Sequence, residues 1–335
     1  MKKLIYYIIK KTAPLAERFA TGRTSYPAKN NLKYILMKKL LIILSFTGLC
    51  IFSSCNSCAK NSDEKESREM KLSQSFVLEK IWETDSVFRT PESVIYDEKR
   101  EILYVSNLNR DPSGKDKRGF ISKLSKSGEV INLHWIGGLK EPKGMAITGD
   151  KLYVADLDQM VIININGDRI EKKIDIQDAK YLNDMAADTN GDLYFSDSES
   201  HSIYRYRDGE AEVWLAEGLS RPNGLYIEKD RVLLTSSISQ DFVSIDKTSK
   251  TKEIITTEIG RGDGLVYTGM PGYYIVSDWS GEVFIILPDK RKLSLLRTKD
   301  MGVNSADIGY IPSENLLLVP TFLNNRVVAY RLIAE

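Results

Sequence analysis

The sequence has little histidine and, outside its first sixty residues, no cysteine. His134 and His201 are the two histidines in 335 residues. A histidine-rich zinc centre would need more, and a Ser-His-Asp triad would have to use one of these two. Cys50, Cys55 and Cys58 fall within nine residues of one another. This excludes a disulfide framework and a cysteine nucleophile from the remaining chain. Charge of one sign is also missing, since 47 Lys and Arg against 46 Asp and Glu leave a formal net charge of +1. Nothing in that balance points to nucleic acid as a partner. Long apolar runs are absent apart from a short one near the start, and from Phe76 onward no helical periodicity is visible.

What is present at the N-terminus reads as an address. Residues 37–55, MKKLLIILSFTGLCIFSSC, place two lysines before an apolar run and two small residues before Cys55. The order is that of a secretory signal, and the run is short for a membrane span. A cysteine directly after the small residues resembles the signal of bacterial lipoproteins, which implies lipidation of Cys55 and a mature chain beginning there. The expected organisation is therefore an upstream mis-start over 1–36, a lipoprotein signal peptide over 37–54, a polar flexible tether over 55–74, and a globular body over 75–335. The expected location is the cell envelope, at the outer membrane or periplasmic face, with the lipid as membrane partner.

The body repeats. Segments beginning PESVIYD at Pro91, PKGMAIT at Pro142, LNDMAAD at Leu182, PNGLYIE at Pro222, GDGLVYT at Gly262 and SADIGYI at Ser305 each hold a strand, a turn and a second strand. Their second residues, Glu92, Lys143, Asn183, Asn223, Asp263 and Ala306, are spaced 51, 40, 40, 40 and 43 apart. The long first interval contains a polar insertion over 109–118, a candidate lid or a plain solvent loop. Third strands follow in every repeat and fourth strands in five. The sixth repeat lacks one, and the unassigned strand Phe76–Glu83 can supply it. Four-stranded units at this period, closed by a displaced strand, predict an all-β six-bladed β-propeller whose last blade is completed by the N-terminal strand.

In a propeller the innermost strands line the central channel, so the six second residues converge at one mouth. Glu92, Asn183, Asn223 and Asp263 form an all-oxygen set with two negative charges, which suits Ca²⁺ or another hard divalent cation. Lys143 enters the same ring as a cation, able to pair with Glu92 or Asp263, bind an anionic substrate or stabilise an oxyanion. Asp156, Asp197 and Asp278, at second-strand ends, read as turn formers. Trp279 reads as packing, with a place near the pocket mouth.

The motifs Pro91-Glu92, Leu182-Asn183-Asp184, Pro222-Asn223-Gly224 and Gly262-Asp263-Gly264 resemble those of the regucalcin/gluconolactonase family. That family is related to diisopropylfluorophosphatase, the paraoxonases and strictosidine synthase. The resemblance implies one divalent cation on Glu92, Asn223 and Asp263, with Asn183 as a fourth ligand or a substrate contact. It implies lactone or ester hydrolysis with Asp263 activating water and Asn183 beside the reacting group; Lys143, a departure from the family's ring, is a further catalytic candidate. Tyr181 stands where the lactonases carry a substrate-binding arginine, and Gly309 where diisopropylfluorophosphatase has a channel histidine. The alternative expectation is a non-catalytic propeller that binds a glycan, peptide or protein at the envelope.

Overall fold

A computed structural model describes residues 75–109 and 118–335. The signal peptide, Cys55, the tether and most of the 109–118 insertion lie outside the described residues.

Six antiparallel four-stranded sheets form six blades. Five are consecutive in the chain, with inner strands Pro91–Asp97, Pro142–Thr148, Leu182–Ala187, Pro222–Ile227 and Gly262–Tyr267. The sixth runs from Gly309–Ile311 through Leu316–Pro320 and Val327–Ala334. Its outer strand is Phe76–Glu83, which pairs antiparallel with Val327–Ala334 from Phe76↔Ala334 to Glu83↔Val328. The expected six-bladed propeller and its N-terminal closure are both present.

Burial explains the sequence pattern. Second and third strands such as Leu193–Asp197 and Glu282–Ile286 are buried along their whole length, because each packs on a blade at either face. Outer strands such as Arg169–Asp175 are mostly exposed and polar. Alternate residues of one strand therefore enter different cores: Leu152 and Val154 pack with Tyr104 and Ile121 of the preceding blade. Ala155 packs with Leu182 and Phe195 of the following one. Six apolar clusters result, one at each interface between neighbouring blades.

Two details depart from a regular repeat. The fourth strand of the first blade runs Val130–Leu139 with several register shifts. The inner strand of the sixth blade is only three residues long, since its approach is diverted toward the first blade: Asp307 N donates to Glu92 O at 2.9 Å, and Ser93 and Asp307 form a parallel bridge. Three single-turn 3-10 helices occur among the described residues, and no helix there is long and apolar enough to cross a membrane.

Candidate functional site

Each inner strand of the first five blades carries a register irregularity at its start, between Leu182 and Met185 for example. A bulge breaks the alternation of side chains, so consecutive residues can both face the axis. Asn183 lines a cavity at one end of the channel and Asp184 a cavity at the other.

Glycine makes this crowding possible. A Cβ on Gly144 would lie 2.5 Å from Asp184 Cα and Oδ1, and one on Gly264 2.8 Å from Asp307 Oδ1. At Gly224 it would collide with the Asp263 carbonyl oxygen. Second-strand hydroxyls then fasten the inner strands of the fourth and fifth blades, and the approach to the sixth, to the preceding blade. Ser196 Oγ donates to Asn223 O at 2.8 Å, Thr235 Oγ1 to Asp263 O at 2.7 Å and Ser277 Oγ to Ala306 O at 2.8 Å.

The first cavity, of about 180 Å³, is lined by Glu92, Lys143, Asn183, Asn223 and Asp263, five of the six expected ring residues. Ala306, the sixth, is fully buried and packs with Leu108, Phe322 and Trp279, which give the cavity an apolar wall. Trp279 meets Phe322 edge to face at 5.4 Å. It therefore does line the mouth.

The two ring carboxylates are incompletely satisfied. Glu92 Oε2 and Asp263 Oδ1 are buried without a hydrogen-bond partner. Burial pushes both carboxyls well above the usual range, and the charges of neighbouring carboxylates push them further: Asp263 and Asp307 for Glu92, Asp307 for Asp263. Lys143 draws Glu92 back down, and Arg261 and a hydrogen bond with Asn223 do the same for Asp263. Asn183 commits its amide nitrogen to Ser198 Oγ at 3.0 Å, leaving Oδ1 as the atom it can offer. The Lys143 ammonium lies 3.8 Å over the Tyr181 ring and donates to Glu141 O at 3.3 Å.

These residues fit a hard divalent cation. The donors are all oxygen, two carboxylate oxygens lack partners, and the buried lysine turns toward Tyr181 and Glu141. Among the described residues no three of His, Cys, Asp and Glu gather as a metal cluster, so amide oxygens and water would have to complete the coordination.

The residues the sequence reading missed are Arg221 and Arg261, which line the same cavity. The signal was available: each lies two residues before its ring position, as Tyr181 does, and the three are 40 apart. The turn-forming reading of the strand-end aspartates holds, and their turns lead into this site. Asp197 Oδ2 accepts from Lys180 N and Tyr181 N, Asp278 Oδ1 from Arg261 N, and Asp156 Oδ2 from Lys140 N. His201 is structural, its Nδ1 accepting from Arg221 N at 2.9 Å. His134 packs on Phe120 at 4.2 Å between ring centroids.

Fold and site together define a six-bladed propeller with a polar axial cavity that carries both acidic and basic side chains. No protein-family model matches the chain, and no curated protein does. Solved structures with the same fold include a gluconolactonase from Xanthomonas campestris, at 15% identity and TM-score 0.57 over 73% of this chain and 87% of that one. A streptogramin B lyase matches at 15% identity and TM-score 0.55 over 77% and 98%. A chain of a nidogen/laminin complex matches at 14% and 0.53 over 62% and 80%.

Proposed function

We propose that the chain is a hydrolase of a lactone or related ester that works with a divalent cation of the Ca²⁺ type held by Glu92, Asn183, Asn223 and Asp263. The observation that carries this reading is the pair of buried, partnerless oxygens, Glu92 Oε2 and Asp263 Oδ1. Leaving such atoms bare is costly, and an ion bound between them removes the cost. The gluconolactonase neighbour supports the reaction class at the level of fold.

The cation would polarise the substrate carbonyl and hold the oxyanion. Asp263 takes the proton of the attacking water as general base. Asn183 turns its Oδ1 to the cation, with its amide nitrogen held by Ser198, and Lys143 adds positive charge beside the developing oxyanion. Leu108, Trp279 and Phe322 keep water off the apolar side of the substrate. The propeller is carried at the cell envelope by a lipid on Cys55; Cys55→Ser then moves it from the membrane fraction to the soluble one.

A panel of lactones and aryl esters tests the reaction. Turnover of at least one member is expected, abolished by EDTA and by Asp263→Ala. A crystal soaked in Ca²⁺ should show the ion about 2.3–2.6 Å from Glu92, Asn223 and Asp263. Bound Ca²⁺ without turnover on any ester would instead favour a partner-binding propeller, of the kind found in the nidogen/laminin complex.

A further inference from the structure

We infer that the cavity selects a small ligand bearing a carboxylate, which Arg221 and Arg261 grip while its apolar part lies against Trp279. This deepens the reading above by naming the substrate class and rests on it for the reaction.

The first support is charge. The cavity presents Lys143, Arg221 and Arg261 against Glu92 and Asp263. A divalent cation on the two carboxylates would cancel their charge and leave the lining basic. Lys143 already lies against Tyr181 and Glu141, and Arg221 Nη2 pairs with Glu199 at 2.9 Å, which leaves its other nitrogens to a ligand. The Arg261 guanidinium stacks over Trp279 at 4.5 Å, so its planar fork is pre-oriented beside the apolar wall. Such a fork matches the two oxygens of a carboxylate.

The second support is backbone. Arg221 has φ +55°, a left-handed conformation that costs a non-glycine residue about 1 kcal/mol or more. Glycine would adopt it freely, yet an arginine stands there. Both arginines are also pinned at each end of the residue. Arg221 N donates to His201 Nδ1, and Ser237 N donates to Arg221 O at 3.1 Å. Arg261 N donates to Asp278 Oδ1, and Trp279 N donates to Arg261 O at 3.0 Å. Tyr181 is held in the same way by Asp197 and Ser198 N. Three successive blades thus present a residue with a pinned backbone at one level of the mouth, and two of the three are arginine.

The third support is size. At about 180 Å³ the cavity falls below the roughly 300–1,000 Å³ of drug-sized pockets. The ligand is therefore small, and one carboxylate makes up a large part of its contact.

Binding of benzoate and of benzamide, measured by calorimetry on the whole protein with Ca²⁺ and again with EDTA, tests the inference. Benzoate should bind at least about tenfold more tightly with Ca²⁺, and its affinity should fall with salt. Arg261→Met and Arg221→Met should each weaken benzoate about tenfold and leave benzamide unchanged. Arg261→Lys, which keeps the charge but not the fork, should fall between. Melting temperatures near wild type confirm that the variants fold. Equal binding of the two probes, or unchanged benzoate affinity in both methionine variants, overturns the inference. A contact of benzoate with the cation alone would leave the arginine variants at wild-type affinity and is therefore refuting too. A second pair, 5-oxotetrahydrofuran-2-carboxylate and its carboxamide, separates the two proposals. Equal hydrolysis of both lactones sinks the carboxylate preference and leaves the hydrolase standing. Tight, arginine-dependent benzoate binding without hydrolysis of either lactone or of any panel ester does the reverse.

Discussion

Replacing Asp307 with asparagine should remove a distinct part of the pH dependence of stability in the cation-free protein. Asp307 lies behind the candidate site, at the opposite end of the channel, with Asp184. Its carboxyl is pushed from 3.8 up to about 7, burial being the cause and a hydrogen bond from Ser93 a partial offset. Such a difference between folded and unfolded chains corresponds to about 4 kcal/mol. Its sign follows from the raised value. Below about pH 4 both states hold the proton and the carboxyl costs nothing; as pH rises toward 7 the unfolded chain releases the proton first, and stability is lost through that interval. The charge on Asp307 also raises Glu92, Asp184 and Asp263, so its removal eases their burden as well. The assay is urea denaturation in EDTA from pH 4 to pH 8. Wild type should lose several kcal/mol over that range, and Asp307→Asn should lose less by a few kcal/mol, the remainder coming from Glu92, Asp184 and Asp263. A slope as steep in Asp307→Asn as in wild type would refute the reasoning.

Two further outcomes follow from the same geometry. Ca²⁺ at about one hundred times its Kd should stabilise the wild type by about 2.7 kcal/mol, read as a rise in Tm that EDTA reverses and that Asp263→Asn largely lacks; a Tm indifferent to millimolar Ca²⁺ would count against the site. Gly224→Ala should destabilise by about 1–3 kcal/mol in chemical denaturation, because its Cβ meets the Asp263 carbonyl, which cannot retreat from Thr235; a neutral effect would show that the inner strands are not in close contact there.

The blades and their closing strand were legible because strand-to-strand burial repeats every forty residues and leaves Phe76–Glu83 unassigned. The ring Glu92, Lys143, Asn183, Asn223 and Asp263 was legible from register alone. Asp184 and Asp307 were not recognised as channel residues, because simple alternation turns the neighbour of a ring residue away from the axis. The bulge at each inner-strand start cancels that alternation. Ala306 disappointed the ring for a related reason: the sixth inner strand is diverted toward the first blade and buries that position among Leu108, Trp279 and Phe322. Arg221 and Arg261 were visible at the spacing of Tyr181 but attracted no notice, since exposed arginines in loops carry no burial pattern.

The hydroxyl fastenings have a consequence for anyone who would redesign this protein. Asn223 is contributed by one blade, but its carbonyl is gripped by Ser196 of the blade before; Asp263 depends in the same way on Thr235. The transferable part is therefore a seam, made of one blade's second strand and the next blade's first. A graft cut at blade boundaries would carry the ring residues and leave their holders behind, whereas a graft cut through the middle of two neighbouring blades would move both together.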